Sequence, residues 1–223
     1  MVKALIFDFD GLILDTELPD FISWQQVYRG FGLELPLELW LTTVGGDSEA
    51  EFEPHEYLER KLNIQVDREQ IWVQRRKSYL DHLEGQQAMP GVEAALHAAR
   101  EAGLKLGIAS SSPDNWVSGH LTRLGLRSLF DVIVTADDVE HTKPDPALFL
   151  LAAEKMGVQP ASTVVFEDSH NGVVGAKRAG MFVVAVPNEI TKHSDLSAAD
   201  LRLDSMEDLS LDRLREIVRD RHE

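Results

Sequence analysis

The chain has no cysteine. That excludes disulfides, thiolate metal sites and a cysteine nucleophile, and it suits a reducing cytoplasm, the expected location. No run of about 18 apolar residues is present either, so no membrane span is expected. The first apolar stretch, behind Met1-Val2-Lys3, is interrupted by Asp8 and Asp10. A secretory leader would not carry two acids there, so none is expected. Positive charge is scarce: 22 Lys and Arg face 38 Asp and Glu, for a net charge of −16. A nucleic-acid partner needs a basic face, and this balance argues against one. An anionic ligand would have to be drawn in by local features, such as a metal ion, rather than by the field of the whole protein.

Low-complexity tracts and internal repeats are also missing. What is present is a core-forming composition: 43% of the 223 residues are hydrophobic. Disorder is excluded on that basis, and the length suits one large domain or a core with a smaller insert. The oligomeric state is not legible, and a monomer is the expectation.

Strand-like and helix-like segments alternate. Ala4 to Phe9, Leu104 to Ala109, Val132 to Thr135, Thr163 to Phe166 and Phe182 to Val186 read as buried parallel strands. Val92 to Ala102 is Ala-rich, stops at Gly103 and predicts a helix. Ser112-Pro113-Asp114 offers an N-cap with Pro at the first helical position, and Asp145-Pro146 repeats it for a helix ending near Gly157. Leu209 to Val218 predicts a closing amphipathic helix. The pattern predicts an α/β fold with a doubly wound, Rossmann-like parallel sheet. Residues 16–86 break the alternation. Their helical spacing (Phe21, Trp24, Val27, Tyr28) predicts a small helical domain inserted after the first strand. The core would then comprise residues 1–15 and 87–223.

Four polar sites each follow a predicted strand, where ligands of open α/β sheets bind. Asp8 and Asp10 face one side of an extended segment. Two close carboxylates need a cation or a proton between them. Such a pair can act as nucleophile and as general acid/base in phosphoryl transfer. It can also be a strand ending in solvated acids. Ser110-Ser111-Ser112 lies before a helix start and can bind an anion or simply cap the helix. Lys143 can face a phosphate or water. Glu167-Asp168 precedes another helix. Asp168 and Asp8, with the Asp10 carbonyl, could ligate magnesium; equally, the acids could complement the helix dipole.

Taken together, Asp8-x-Asp10-Gly11-x-x-x-Asp15-Thr16, Ser110, Lys143-Pro144 and Glu167-Asp168 closely resemble the haloacid dehalogenase-like superfamily, across the whole chain. The helical insert resembles the four-helix C1 cap of subfamily I, in the β-phosphoglucomutase-like branch. The resemblance implies Asp8 as nucleophile and Asp10 as general acid/base. It implies that Ser110, Ser111 and Lys143 hold the phosphoryl group and that Asp8, Asp10, Glu167 and Asp168 serve Mg2+. Thr16, Val44, Gly45 and Gly46 are the candidate substrate contacts of the insert. A phosphatase acting on a small phosphorylated metabolite is the resulting expectation, with a sugar-phosphate mutase as the main rival. Family mutases carry a cap arginine for a distal phosphate and a histidine soon after the first motif. Val44-Gly45-Gly46-Asp47 and Thr16 to Phe21 show neither, although Arg75, Arg76, Lys77 or His55 could substitute. A carbon–halogen hydrolase would not need Asp10. A non-enzymatic binding module would be expected to have lost one of the motif residues, and none is lost.

Overall fold

A computed structural model describes residues 1–44 and 52–220. Six parallel strands form one sheet in the order β3-β2-β1-β4-β5-β6. They are β1 (Ala4–Phe7), β2 (Lys105–Ala109), β3 (Val132–Val134), β4 (Thr163–Glu167), β5 (Phe182–Ala185) and β6 (Leu201–Arg202). Within residues 16–86 the described residues form four helices: α1 (Glu17–Gly30), α2 (Leu37–Trp40), α3 (Pro54–Leu62) and α4 (Arg68–Leu83). The remaining helices are α5 (Val92–Glu101), α6 (Asp114–Arg123), α7 (Ala147–Met156), α8 (His170–Arg178) and α9 (Leu211–Asp220).

The strands are mainly apolar because both sheet faces are covered, with polar residues at their ends (Lys105, Thr163, Glu167 and Arg202). Along β1, Leu5 and Phe7 enter one hydrophobic layer while Ala4 and Ile6 enter the other. That is the period of two expected of a strand. Phe7 stacks on Phe166 of β4 at 4.9 Å between ring centroids. Truncating such a buried ring to alanine would cost about 3–5 kcal/mol. A third apolar cluster is formed mostly by the helical insert and includes Trp24, Tyr28, Trp40, Leu58 and Ile71, with Ile190 from beyond β5. Trp24 and Tyr28 carry the predicted period on α1, whereas Trp72 is 55% exposed.

Several element ends differ from the sequence reading. β1 stops at Phe7, two residues early, because Gly11 (φ +77°) turns the chain and its N–H donates to the Leu14 carbonyl at 2.7 Å. α6 begins at Asp114 with Pro113 as N-cap and no side-chain cap, so Ser112 is not a capping residue. α7 begins at Ala147 behind Pro146, although Asp145 still accepts from the Ala147 N–H at 2.9 Å. β6 was not anticipated; two residues are too few to show a period.

Because β1 is flanked by β2 and β4, the chain winds outward from it in both directions. The crevice at this switch of direction is where an open α/β sheet places its ligand. The turns after β1, β2 and β4, and the loop after β3, all open there.

Candidate active site

Asp8 follows β1 directly, and its N–H still donates to the Phe166 carbonyl at 3.0 Å. Its carboxylate accepts from the Lys143 ammonium, which is itself only 2% exposed. Lys143 also donates to Glu167 Oε1 at 2.6 Å and lies over the Phe149 ring. Burial alone would lower the lysine, but Asp8 and Glu167 overcome it and hold the ammonium raised. The other oxygen of Glu167 accepts from the Ser169 hydroxyl at 3.1 Å and the Ser169 N–H at 3.3 Å. Gly172 makes room for this carboxyl: a Cβ there would lie 1.9 Å from the Glu167 carboxyl carbon.

Asp168 turns into the same space. Its Oδ2 accepts from Asn188 Nδ2 at 2.8 Å, and the same amide reaches the Gly11 carbonyl at 3.1 Å. The side-chain oxygen of Asn188 in turn accepts from Ile190 and Thr191 N–H groups at 2.9 and 3.0 Å. Asn188 thus ties the turn after β1 to the turn after β4, and Gly11 must be small, since a Cβ would lie 2.4 Å from Asp168 Oδ2. Ligand oxygens of Asp8, Glu167 and Asp168 lie within 4.8 Å of one another. Burial, ahead of the neighbouring charges, raises both the Asp8 and Asp168 carboxyls. Buried acids so close lack enough positive charge with one lysine between them, which is the chemistry of a divalent-cation site. Asp8 and Asp168 each keep an oxygen with no protein donor among the described residues, whereas both oxygens of Glu167 are taken.

Asp10 sits at the side of this cluster. Its carboxylate accepts from Ser112 Oγ at 2.6 Å and from the Trp116 indole at 2.9 Å, with Ser110 Oγ at 3.5 Å. Ser111 lines the same wall, and its buried hydroxyl has no protein partner. These groups open into a cleft of about 870 Å³ between the sheet and the helical insert. From the insert side it is lined by Thr16, Val44, Trp40 and Arg75 among others. The Thr16 hydroxyl and the Trp40 indole N–H are buried without a hydrogen-bond partner. Gly45, Gly46 and Asp47 lie outside the described residues.

The four possible substitutes for a distal clamp separate clearly. Arg75 is ion-paired with Asp20 and lies over the Trp24 ring at 5.2 Å. Lys77 pairs with Asp81 at an exposed position away from the cleft. His55 bonds Glu53 at 2.8 Å and packs edge-on against Trp24. Arg76 lines the cleft over the rings of Tyr79 and Trp116, with no carboxylate partner among the described residues.

Sequence reasoning missed Asn188 and Trp116. Asn188 follows β5, so the same strand-end rule could have found it. Trp116 lies inside α6, 106 residues from Asp10, and no local pattern marks it.

Strand-end carboxylates around a buried lysine, beside a hydroxyl-rich turn, suit an enzyme site for an anionic substrate. Residues 5–186 match the family model described as haloacid dehalogenase-like hydrolase. YhcW of Bacillus subtilis (strain 168) is 49% identical over 211 residues, covering 95% of each chain. The phosphorylated carbohydrates phosphatase of Thermotoga maritima is 35% identical, covering 81% of this chain and 82% of its own. The crystal structure of a β-phosphoglucomutase from Clostridium difficile superposes with a TM-score of 0.76 at 25% identity, covering 100% of this chain and 99% of the other. The chain therefore belongs to the haloacid dehalogenase-like hydrolases, on their β-phosphoglucomutase-related branch, and is an enzyme of the phosphatase type.

Proposed function

We propose that the protein is a magnesium-dependent phosphatase that hydrolyses a small soluble phosphate monoester through an aspartyl-phosphate on Asp8. The observation that carries this reading is the buried Asp8–Lys143–Glu167 ion cluster beside Asp168 at the floor of the cleft. An Asp8 oxygen attacks phosphorus while the ester P–O bond breaks. Asp10 gives its proton to the departing oxygen. Water then attacks the phosphoryl group, the bond to Asp8 breaks, and Asp10 takes the proton from that water. Inorganic phosphate and the free Asp8 carboxylate result. Lys143 offsets charge on the transferring group, and Ser110 with the unpartnered Ser111 hydroxyl supplies donors opposite it.

Asp8, Asp168 and the Asp10 carbonyl would hold the magnesium ion, and Glu167 would fix Lys143 from behind. When bound, the ion supplies positive charge to the phosphoryl oxygens. We assign residues 16–86 as a cap domain over a core of residues 1–15 and 87–223. The cap excludes water and selects the leaving group. Thr16 and Val44 belong to its inner face, and Gly45 and Gly46 are retained as substrate contacts on the family resemblance. A relative named for phosphorylated carbohydrates, together with the aromatic and hydroxyl lining of the cleft, favours a sugar or polyol phosphate. We assign the reaction to the cytoplasm, because a chain without cysteine gains nothing from an oxidising compartment. No helix of the described residues is long and apolar enough to cross a membrane.

Hydrolysis is preferred to a mutase reaction because the relatives named above are called phosphatases. Arg75 is committed to Asp20, and Arg76 is the cleft cation left for a mutase to use. Phosphate release from a panel of sugar phosphates, phosphoglycolate and nucleoside monophosphates tests the reading. EDTA should abolish release and magnesium restore it; full activity in excess EDTA would exclude the mechanism. Glucose 6-phosphate as the main product from β-glucose 1-phosphate, stimulated by glucose 1,6-bisphosphate, would favour the mutase.

A further inference from the structure

Trp116 stands on α6 in the core, yet its ring is held largely by the helical insert. Tyr79 of α4 stacks on it at 5.8 Å with an interplanar angle of 17°. The Arg76 guanidinium, one helical turn earlier on α4, lies 5.6 Å from the ring centroid. His120, one turn along α6, closes the ring edge-on at 4.3 Å. Tyr79 is 7% exposed, so the stack is an interior contact rather than a surface one. The indole N–H then donates to Asp10 Oδ1 at 2.9 Å, while the Ser112 hydroxyl holds the other oxygen at 2.6 Å. Asp10 therefore takes its aim from α6, and the α6 indole takes its place from α4.

We propose that Trp116 is a positioning residue that couples the seating of the helical insert to the orientation of Asp10. With α4 seated, Tyr79 and Arg76 fix the ring, and the N–H fixes the carboxylate toward the leaving oxygen. With α4 displaced, the ring loses Tyr79 and Arg76, and Asp10 loses a fixed donor. Proton donation is thereby tied to a closed cleft. The inference rests on Asp10 being the general acid.

The test compares kcat/KM for two esters: the sugar phosphate hydrolysed fastest in the panel, and p-nitrophenyl phosphate. This ratio reports events up to the first irreversible step, the transfer to Asp8. A sugar alkoxide needs a proton to leave, and a nitrophenolate does not. Trp116→Phe should lower kcat/KM for the sugar phosphate about tenfold or more, a part of the full general-acid contribution. The loss for p-nitrophenyl phosphate should stay below about twofold. Tyr79→Leu, which leaves the N–H in place, should show the same selective loss to a smaller degree. The double variant should lose no more than Trp116→Phe alone, because the clamp acts only through the indole. Equal losses on both esters, or strictly additive losses, would reduce Trp116 to a packing residue. Asp10→Asn separates this failure from that of the underlying reading. If Asp10→Asn also lacks the selective loss, the acid role of Asp10 falls; if it alone shows the loss, only the coupling falls.

Discussion

The two walls of the cleft are built on opposite rules. On the sheet side, Lys143, Glu167, Asp168 and Asn188 are buried and joined by hydrogen bonds that leave little choice of position. On the insert side, Thr16 and Trp40 present buried donors that bond nothing. A buried polar group without a partner costs about 1–3 kcal/mol, so such groups persist where something else fills them. On the proposed reading the sheet wall is nearly complete before substrate arrives, with the buried Ser111 hydroxyl left for the phosphoryl group, and it is the generic wall. On the same reading the insert wall is completed by the substrate and carries the choice of leaving group. Substitutions on the first wall should alter turnover or folding; those on the second should alter KM.

The largest effect is expected from Asp8→Asn. An amide is a poor nucleophile and a weaker ligand for a hard cation, so turnover should fall to background while the circular dichroism stays native. Phosphate release near the wild-type rate would sink the assignment. Lys143→Met comes next and should damage the fold as well as the rate. It leaves Asp8 and Glu167 buried without their shared cation, and breaking a buried pair this way costs about 3–5 kcal/mol. Urea unfolding at neutral pH measures that loss, and an unchanged midpoint would show that the carboxylates find other partners.

The same contrast explains what could be seen in the sequence. The sheet wall was legible because each of its residues follows an apolar strand, and a strand leaves only its end open to the crevice. Asp8, Ser110 and Asp168 are legible on that ground; Lys143 lies nine residues past β3 and is marked by the family resemblance instead. Asn188 obeys the rule too, but it stands three residues past β5 with no α-helix start behind it to draw attention. Ser112 looked like a helix cap, since sequence cannot tell a hydroxyl that caps from one that turns to Asp10. The insert wall was hardly legible. Its helical spacing was plain in Trp24 and Tyr28, yet Tyr79 and Trp116 meet only through the fold. The Asp20–Arg75 pair spans 55 residues and follows no helical repeat.

Linkage to pH gives a smaller, graded effect. Burial first, then neighbouring charges, raises Asp168 well above the ordinary carboxylate range and Asp8 to about 8. Raised acids keep their protons in the folded chain while the unfolded chain releases them. Their contribution is therefore full below the unfolded values near pH 4 and is lost as pH climbs toward the folded ones. Acids with lowered values, such as Asp131 and Asp138, act in the opposite sense, but they have finished titrating by about pH 5. Without metal, Tm should decline between about pH 5 and pH 8. Magnesium competes with protons for these carboxylates, so the Tm it adds should be larger at pH 8 than at pH 5. A gain independent of pH would remove Asp8 and Asp168 from the metal site.

The smallest effect, and the sharpest test of the insert wall, is Thr16→Val. Thr16 occupies the N-cap position of α1, where losing a hydroxyl ordinarily costs about 1 kcal/mol. Here the side chain makes no cap bond, and its oxygen has no partner at all. Valine keeps the branched shape and deletes only the unpartnered atom, so Tm should hold or rise slightly. If the hydroxyl serves the leaving group, its loss removes one neutral hydrogen bond, about 0.5–1.5 kcal/mol, or roughly 2- to 13-fold in KM. Turnover at saturating substrate should stay near wild type, because the phosphoryl group and its partners on the sheet wall are untouched. A fall in kcat with KM unchanged would move Thr16 to the chemical wall, and a fall in Tm would show that the hydroxyl has a structural partner instead.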